Sequence, residues 1–555
     1  MNDSVASAPV AAPVLEFRDF NVWFDVSESR RHPEESHTVR GINLSVHAGE
    51  RVGLVGESGC GKTTSILAAM GLLPPAASVS GEILLNGENI LARGDASVRA
   101  HRWNDIAMVF QGAMSAFNPV KTVGWQIEEA LEIHHYAKGA AARERVRELL
   151  TMVGLPEDTG SRYPHQLSGG MKQRAVIAMA LSCDPKVLLA DEPTTALDVV
   201  VQDQILQLLV RLSEELNLAL ILVTHDLGVV AQTCSRASVM FAGEIVEEAS
   251  VDDLYRKPRS DYTRSLFEAT PSLSHTEQNR PLAEAGAPLL AVSDIRVVYD
   301  GVLGRKRVTT AAVDGVSLTV NEGDLVALVG QSGCGKTTTL HSIMGLTPVA
   351  SGSIAIAGRE ITTLSGREWR KLRRDVQMVY QDPYEALDVR FRVADTVAEP
   401  LLIHGIGGSA AERTRRVNDA LEDVGLDPAK FARRLPHELS GGQRQRVAIA
   451  ASLVLGPKLL LADEPVSMLD VSVRTGILEL LDRLRREHRM GILMITHDLS
   501  TAAKYADRII VMKDGHIVEE GIASDVIHTP TSDYTRQLIA SVPDPDPRAK
   551  RAALA

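Results

Sequence analysis

Short apolar runs alternate with amphipathic stretches along most of this 555-residue chain. Runs such as Arg51 to Val55, Lys186 to Ala190 and Leu218 to Val223 have the length and composition of strands buried on both faces. Helical stretches separate them, and this alternation is typical of an α/β layer with parallel strands. No apolar run reaches the roughly 18 to 20 residues that a membrane-spanning helix requires, so we expect no transmembrane segment.

The second half of the chain repeats the landmarks of the first at a nearly constant displacement. Lys62 recurs as Lys336 and Asp191 as Asp463, and each copy closes on a matching segment, SDYTRSLFEATP or SDYTRQLIASVP. Such self-similarity indicates a tandem duplication. We predict a disordered N-terminus over residues 1–13, a first domain over 14–271, a linker over 272–288, a second domain over 289–543 and a tail over 544–555.

Between Gln111 and Ser168 the apolar spacing becomes helical, in WQIEEALEIHHY and then AARERVRELLTMVG. The second copy has its counterpart between Asp382 and Glu438. We therefore predict a helical subdomain inserted into each α/β domain.

Composition indicates which partners the protein binds and where in the cell it is located. A net charge of −12 disfavours nucleic acid as the main target, because binding to phosphate backbones depends on Lys and Arg. Four cysteines, Cys60, Cys183, Cys234 and Cys334, show no metal-ligand spacing, and we expect them to be reduced. The first 13 residues lack the basic start and apolar core of a secretory signal, which predicts a cytosolic location.

Two glycine-rich loops, GESGCGKT and GQSGCGKT, each follow an apolar strand and open a helix. This is the context of a phosphate-binding loop, in which glycines let backbone N–H groups point at a phosphate beside the helix N-terminus. The predicted ATP-binding residues are Gly56, Glu57, Ser58, Gly59, Cys60, Gly61, Lys62, Thr63 and Thr64, and Gly330, Gln331, Ser332, Gly333, Cys334, Gly335, Lys336, Thr337 and Thr338.

Each loop is followed at a similar distance by apolar residues and Asp-Glu, in VLLADE and LLLADE. Hydroxyls of Thr63 and Thr337 are predicted Mg²⁺ ligands, and the strand-end carboxylates of Asp191 and Asp463 are predicted to hold the same ion through water. The glutamates that follow, Glu192 and Glu464, are the natural bases for orienting an attacking water. These features alone indicate a P-loop nucleotidase.

LSGGM at residues 167–171 and LSGGQ at 439–443 resemble the signature motif of ATP-binding cassette (ABC) proteins. Together with VFQ and VYQ, TALD and SMLD, and the two THD triplets, the resemblance covers nearly the whole chain. It implies two tandem P-loop ABC-type nucleotide-binding domains. Each would be a RecA-like α/β core with a β-rich edge subdomain and an inserted α-helical signature subdomain.

The resemblance also implies two shared ATP sites, because the signature of one cassette contacts the γ-phosphate bound to the other. One site would pair Lys62 and Glu192 with Ser440, and the other Lys336 and Glu464 with Ser168. A helix N-terminus is suited to this contact with an anion. The signature residues implied are Ser168, Gly169, Gly170, Ser440, Gly441 and Gly442.

Further roles follow from the resemblance residue by residue. His225 and His497 would contact the γ-phosphate as catalytic residues, and Gln111 and Gln381 would join the metal ligands. Phe24 and Tyr299 resemble the aromatic residue that stacks on adenine, although a strand aromatic in the core is the alternative. Asp198 and Asp470 would couple the two sites, although a helix N-cap is the alternative and both roles can coexist.

Three functions compete for a cassette ATPase of this kind. It could be the motor of a membrane importer, an ABC-F translation factor, or a DNA-repair or chromosome ATPase. The predicted linker is short and the chain acidic, unlike translation factors, and the chain lacks the zinc cysteines or long coiled coils of repair relatives. The SDYTR segments resemble those of peptide and nickel importer ATPases, in which an LSGGM and an LSGGQ subunit usually work together. This chain looks like the two subunits fused.

The importer reading implies two membrane permeases as partners, docked on the residues after each glutamine, GAMSAFNP and DPYEALDV. It also implies an extracytoplasmic solute-binding protein and a peripheral location on the cytoplasmic face of the cell membrane. Di- or oligopeptides are the favoured solute, with nickel, glutathione or oligosaccharides as alternatives. Cysteines are absent from the predicted linker and from residues 543–555, so we expect no iron–sulfur cluster.

Overall fold

The computed structural model describes residues 12–25, 35–92, 94–112, 116–195, 197–273, 287–303, 306–382, 386–467 and 469–549. Most of the predicted N-terminal segment 1–13 and linker 272–288 lies outside the described residues, as do 113–115 and 383–385 behind the two glutamines. Within the described ranges no helix is long and apolar enough to span a bilayer.

Contacts divide the chain into two units. The first holds Met1–Leu197, Val201–Thr270 and Pro543–Ala555, and the second holds Asp198–Val200 and Pro271–Val542. Two short segments, Asp198–Val200 and Pro543–Ala555, are thus counted with the unit that does not contain their sequence neighbours.

The first unit contains two sheets. Its strands are β1 Leu15–Asp25, β2 Glu35–Val46, β3 Arg51–Val55, β4 Ala77–Leu85, β5 Glu88–Asn89, β6 Ile106–Val109, β7 Val187–Asp191, β8 Ala219–Thr224, β9 Arg236–Phe241 and β10 Glu244–Ser250. An antiparallel sheet has the order β2-β1-β4-β5, and a six-stranded sheet has the order β10-β9-β3-β8-β7-β6. In the larger sheet the strands from β9 to β6 are parallel and β10 is antiparallel.

Two of the predicted strands, β7 and β8, are displaced by one residue toward the C-terminus. Asp191 still pairs with Val223, and Thr224 pairs with Val55, so the polar residue at each strand end belongs to the ladder. The parallel strands thereby carry polar side chains to one edge of the sheet.

Helices of the first unit flank the larger sheet and form the inserted subdomain. They are α1 Lys62–Ala69, α2 Asp95–His101, α3 Val123–Ile133, α4 Ala140–Met152, α5 Gly169–Ala180, α6 Val199–Glu215, α7 Leu227–Thr233, α8 Val251–Arg256 and α9 Asp261–Ala269. Helices α3, α4 and α5 pack against one another, which confirms the predicted helical subdomain.

The second unit repeats this plan. Its strands are β11 Pro288–Leu303, β12 Lys306–Asn321, β13 Leu325–Val329, β14 Ser351–Ile356, β15 Arg359–Glu360, β16 Val376–Val379, β17 Leu459–Asp463, β18 Gly491–Ile495, β19 Arg508–Lys513 and β20 His516–Ile522. Its helices are α10 Lys336–Ile343, α11 Gly366–Leu372, α12 Val393–His404, α13 Ala410–Asp423, α14 Pro428–Phe431, α15 Gly441–Leu453, α16 Val471–His488, α17 Leu499–Tyr505, α18 Ala523–His528 and α19 Asp533–Ser541. The sheet orders are β12-β11-β14-β15 and β16-β17-β18-β13-β19-β20.

Each unit buries apolar side chains on both faces of its larger sheet. Along β13, Val326 and Leu328 join the cluster shared with the antiparallel sheet, whereas Leu325, Ala327 and Val329 join the cluster shared with the helices. Burial on both faces explains why this strand reads as a continuous apolar run. The predicted α/β fold, with an edge sheet and a helical subdomain in each unit, is confirmed.

Candidate functional site

The two glycine-rich loops connect β3 to α1 and β13 to α10, as the sequence predicts. Gly56 has φ 153° and Gly330 has φ 150°. A Cβ at Gly56 would lie 2.1 Å from the carbonyl oxygen of Met240, and one at Gly330 would lie 2.2 Å from that of Met512. Only glycine permits this close approach of each loop to its neighbouring strand.

The loop lysines are buried inside the curl that each loop makes. Lys62 Nζ donates to the carbonyl oxygens of Gly56 and Glu57, both at 2.7 Å. Lys336 Nζ makes the matching bonds to Gly330 at 2.7 Å and to Gln331 at 2.8 Å. Each ammonium is therefore held against two carbonyl oxygens of its own loop.

A threonine and an aspartate meet beside each lysine. Thr63 Oγ1 donates to Asp191 Oδ1 at 3.1 Å, and Thr337 Oγ1 lies 3.5 Å from Asp463 Oδ1. Burial raises the pKa of Asp191 to about 6, and the charge of Glu192 adds to this; the pKa of Asp463 is raised for the same reasons. One hydroxyl and one buried carboxylate in contact are hard oxygen donors of the kind that Mg²⁺ prefers, and a cation between them would favour the charged carboxylate.

Glu192 lies at the centre of a hydrogen-bonded group. Its carboxylate lies 2.8 Å from His225 Nδ1 and accepts from Gln111 Nε2 at 2.6 Å and from Thr195 Oγ1 at 2.9 Å. Burial alone would raise the pKa of Glu192, but the hydrogen bond and charge of His225 and the bond from Thr195 outweigh it and lower that pKa. The structure thus holds a charged carboxylate between two predicted site residues.

The second unit has the same group with one difference. Glu464 lies 3.2 Å from His497 Nδ1 and accepts from Gln381 Nε2 at 2.9 Å. The hydroxyl of Ser467, which corresponds to Thr195, donates instead to the backbone carbonyl of Glu464 at 3.1 Å. Here too burial raises the pKa and the bond to His497 overrides it, so that the pKa of Glu464 is lowered.

Both glutamates have a left-handed backbone, with φ 42° at Glu192 and φ 44° at Glu464. Their N–H groups donate to Val223 and Ile495 on the neighbouring strands, at 2.9 and 3.1 Å. Residues other than glycine are uncommon in this region, and such strain concentrates at functional sites. Sequence reasoning missed this feature, because glutamate carries no signal for a positive φ.

The signature serines cap the helices that follow them. Ser168 Oγ accepts from Met171 N–H, and Ser440 Oγ from Gln443 N–H, both at 3.3 Å. Both serines are exposed, so the N-terminal end of each helix faces outward, the end that favours an anion.

Glycine is needed behind each signature serine for close packing. A Cβ at Gly170 would lie 2.5 Å from Val201 Cγ1, and one at Gly442 would lie 2.3 Å from Val473 Cγ1. The glycines therefore let α5 approach α6, and α15 approach α16. Their neighbours Gly169 and Gly441 form the first residue of each helix.

The two predicted adenine aromatics have different surroundings. Phe24 is partly buried against the core cluster of the first antiparallel sheet. Tyr299 is 48% exposed and lies inside β11, which continues to Leu303. Tyr299 is thus not at the end of its strand. Beyond it, β11 continues to pair with β12, from Asp300 opposite Thr309 to Leu303 opposite Lys306.

The two predicted coupling aspartates both precede a long helix. Asp470 stands at the N-cap position of α16, and its side chain makes no capping bond. Asp198 precedes α6 and is counted in the second unit. Within that unit Asp198 lines a small cavity together with Gly330, Gln331 and His497.

Comparison with known proteins places these groups in a family. The profile of the family described as "ABC transporter" matches residues 39–195 and 313–467. The profile described as "Oligopeptide/dipeptide transporter, C-terminal region" matches residues 246–293 and 518–554. Together they cover both copies of the duplication and both SDYTR segments.

Three full-length relatives share this organisation. The glutathione import ATP-binding protein GsiA of Salmonella typhimurium is 43% identical over 97% of this chain and 91% of its own. The peptidoglycan transport ATP-binding protein YejF of Agrobacterium fabrum is 42% identical over 95% and 96%. The oligopeptide transport ATP-binding protein OppD of Mycobacterium tuberculosis is 40% identical over 97% and 99%. The chain therefore belongs to the ABC transporter ATPases, in the group that carries two cassettes and two oligopeptide/dipeptide transporter C-terminal regions in one polypeptide.

Proposed function

We propose that this ATPase is the motor subunit of an importer for di- or oligopeptides. The observation that carries the proposal is the C-terminal region of oligopeptide/dipeptide transporters, which is present after both cassettes. Three relatives are named for the transport of oligopeptides, glutathione and peptidoglycan, and each of these solutes contains peptide bonds. Glutathione is the second candidate, since several relatives are named for its import.

ATP would bind at two composite sites. Each would combine the phosphate loop, threonine, aspartate and glutamate of one cassette with the signature helix N-terminus of the other. Each cassette has both halves: the phosphate loop that holds Lys62 or Lys336, and the exposed helix end at Ser168 or Ser440. Backbone N–H groups at such ends bind phosphate oxygens.

Hydrolysis at each site would depend on the carboxylate next to the metal ligand. Thr63 and Asp191 would hold Mg²⁺ in the first site, with Gln111 nearby, and Mg²⁺ bound with ATP would neutralise charge on the phosphate oxygens. Glu192 would orient the attacking water and accept its proton, while His225 and Gln111 hold the carboxylate in place. Thr337, Asp463, Glu464, His497 and Gln381 would do the same in the second site.

Phosphate transfer of this kind needs positioning and charge stabilisation more than covalent chemistry. The ammonium of Lys62 would leave the loop carbonyls for the β- and γ-phosphate oxygens when ATP enters. Closure of the cassettes around ATP would move the attached permeases, and hydrolysis with phosphate release would reopen them.

We further propose two permeases as direct partners and an extracytoplasmic solute-binding protein as an indirect one. The ATPase would then sit peripherally on the cytoplasmic face of the cell membrane. Exposed apolar side chains of the helical subdomains support a docking surface, among them Val120, Trp125, Val389 and Phe391. These residues follow Gln111 and Gln381, where the two copies differ in sequence, which fits two non-identical permeases. We also propose that the protein holds no iron–sulfur cluster.

The proposal is tested by co-purification from solubilised cells. The double variant Glu192→Gln/Glu464→Gln, which should accumulate in the ATP-closed state, is purified through a tag with Mg-ATP and its partners are identified by mass spectrometry. Two multispan permeases are the expected result, and the binding protein of the same system then gives the solute by direct binding of peptides or glutathione. Ribosomal proteins without any permease would overturn the importer proposal in favour of a translation factor.

A further inference from the structure

Each phosphate loop contacts a tyrosine of its own unit. The tyrosine belongs to the helix that begins in the SDYTR segment, which we call the C-terminal extension. The backbone N–H of Glu57 donates to Tyr262 Oη at 3.1 Å, across 205 residues of sequence. The N–H of Gln331 donates to Tyr534 Oη at 3.1 Å, across 203 residues. The same contact in both copies indicates a built feature of the unit.

The peptide group that the tyrosine holds is the one that also holds the loop lysine. The N–H of Glu57 and the carbonyl of Gly56 belong to one planar peptide, and that carbonyl accepts from Lys62 Nζ at 2.7 Å. In the second unit the Gly330–Gln331 peptide joins Tyr534 to Lys336 in the same way. Because the peptide is rigid, the hydroxyl fixes the direction of the carbonyl on its other side.

This peptide needs an outside anchor. Gly56 and Gly330 have positive φ values and no side chain to restrain rotation of the peptide that follows. A hydrogen bond at the N–H end restricts that rotation, so the loop is ordered before a nucleotide arrives. Preorganisation of this kind strengthens binding by lowering the ordering cost.

The tyrosines are themselves held firmly. Glu247 on β10 accepts from the N–H groups of Arg259 and Ser260, at 2.8 and 3.0 Å, and thereby fixes the start of α9. Glu519 on β20 does the same for Thr531 and Ser532 ahead of α19, at 2.7 and 3.1 Å.

Each tyrosine ring packs against the residue that occupies the same position of the duplication, at the end of a strand. Phe241 lies against Tyr262 with ring centroids 4.3 Å apart. Lys513 stands in its place in the second unit, with Nζ 5.0 Å from the centre of the Tyr534 ring. Burial raises the pKa of Tyr534 to about 12, so this hydroxyl stays protonated throughout the physiological range.

We propose that Tyr262 and Tyr534 are positioning residues for ATP, through which the C-terminal extension sets the nucleotide affinity of each phosphate loop. Neither hydroxyl is placed to react, so its effect falls on binding. This inference rests on the proposed assignment of the two loops as ATP sites.

The test compares hydroxyl deletions in the full-length protein. Tyr262→Phe/Tyr534→Phe removes both bonds and keeps the rings in place. We expect the Kd for a fluorescent ATP analogue and the KM for ATP to rise about three- to tenfold, as loss of a hydrogen bond predicts, with kcat changed less than about twofold. Each single variant should produce the effect in one of two binding phases.

Tyr136→Phe is the matched control, because its hydroxyl also donates a hydrogen bond, to Asp184, but in the helical subdomain. It should leave Kd and KM unchanged. Lys62→Ala/Lys336→Ala tests the assignment separately: it should abolish binding, and retained binding would sink the proposed ATP sites rather than the role of the tyrosines.

Two results would overturn the inference. An unchanged Kd in Tyr262→Phe/Tyr534→Phe, with Lys62→Ala/Lys336→Ala inactive, would show that the bonds do not order the loops. A fall in kcat together with a lower thermal unfolding midpoint would show that the hydroxyls serve stability instead.

Discussion

At the scale of single residues, Glu192 and Glu464 are held by equivalent histidines and glutamines at slightly different distances. The carboxylate-to-histidine distance is 2.8 Å in the first unit and 3.2 Å in the second, and the hydroxyl bond from Thr195 has no counterpart at the carboxylate of Glu464. Both pKa values are lowered, so both carboxylates are charged near neutral pH. The two groups therefore differ in hydrogen bonding and agree in charge.

We therefore predict that both sites hydrolyse ATP. Glu192→Gln and Glu464→Gln should lower steady-state phosphate release to a similar extent, and the double variant should lose about a hundredfold or more, because a general base contributes that much. Glu132→Gln, on an exposed face of α3, is the control and should retain full turnover. If either single variant at the predicted bases left turnover untouched, the two sites would not be equivalent.

The residue types at the two candidate sites were predictable because few side chains could perform the tasks predicted for them. A loop lysine, the threonine after it and a strand-end Asp-Glu pair recur at similar spacing in both copies, and the sequence therefore predicted that Lys62, Thr63 and Asp191 lie together. The left-handed backbone of Glu192 was not predictable, since glutamate carries no signal for a positive φ. The contact of Tyr262 with the loop was not predictable either, because it joins residues that are 205 positions apart in the sequence.

At the scale of elements, helix α16 is fixed to the sheet of the second unit through a buried arginine. Arg485 is 4% exposed and bonds Asp482 on the same helix at 2.7 Å, the carbonyl of Gly323 at 2.6 Å, and the carboxylate of Asp507. Asp507 also accepts from the N–H of Leu325 at 2.9 Å, at the start of β13. The network thus joins a helix to two strands.

The first unit joins the corresponding elements with its charges placed differently. Arg51 at the start of β3 pairs with Glu214 on α6 at 3.1 Å and donates to the carbonyl of Thr233 at 2.8 Å. Ser213 and Ser235 occupy the positions of Arg485 and Asp507 in the duplication. Their hydroxyls donate to the carbonyls of Leu218 at 2.8 Å and Arg51 at 3.2 Å. Serines at these two positions are therefore compatible with this fold.

We predict that Arg485→Met destabilises the second unit by about 3 to 5 kcal/mol, because Asp507 would remain buried without its partner. Arg485→Ser/Asp507→Ser, which places the serines of the first unit at both positions, should cost less than the single change, because it leaves no buried carboxylate without a charged partner. Arg486→Met on the same helix is the control: its side chain is 63% exposed and pairs with Asp482 at 2.7 Å, so about 1 kcal/mol or less is expected. Urea unfolding followed by hydrogen exchange in α16 measures this, and equal losses for the two arginines would contradict it.

Among the elements, three parallel strands of the first unit, β3, β7 and β8, were predicted within one residue because they are buried on both faces. The antiparallel sheets were expected only from the resemblance to a family. Strand β1 alternates weakly, since its register with β2 shifts at Phe17, Phe20 and Val22, which interrupts the two-residue period of side chains. The length of β11 past Tyr299 likewise depends on pairing with β12.

At the scale of the whole molecule, residues 543–549 belong to the first unit although they follow the second unit in the sequence. We call residues 543–549 the tail segment. Pro543 approaches α7 so closely that a Cβ at Gly228 would lie 2.9 Å from its backbone. Asp546 pairs with Arg548 at 3.0 Å, and this bond together with the charge of Arg256 at the end of α8 lowers the pKa of Asp546. Asp546 and Asp544 add to burial in raising the pKa of Tyr255.

Gly228 is one of the positions at which the two copies differ. The corresponding residue of the second copy is Ser500. A serine side chain at position 228 would collide with Pro543 unless the tail segment moved, because its Cβ would fall below the usual contact distance.

We predict that the tail segment stabilises the first unit. Truncation after Val542 should lower the unfolding midpoint of that unit and speed hydrogen exchange in α7 and α8, because it uncovers Gly228 and removes the negative charge of Asp546 near Arg256. Truncation after Ala549 is the matched control and should leave both quantities unchanged. Gly228→Ser should resemble the longer truncation in exchange rate while the chain stays complete. Unaltered exchange in α7 and α8 after the longer truncation would mean that the contact adds nothing to stability, and the close approach at Gly228 would then reflect packing that the unit can lose at no cost.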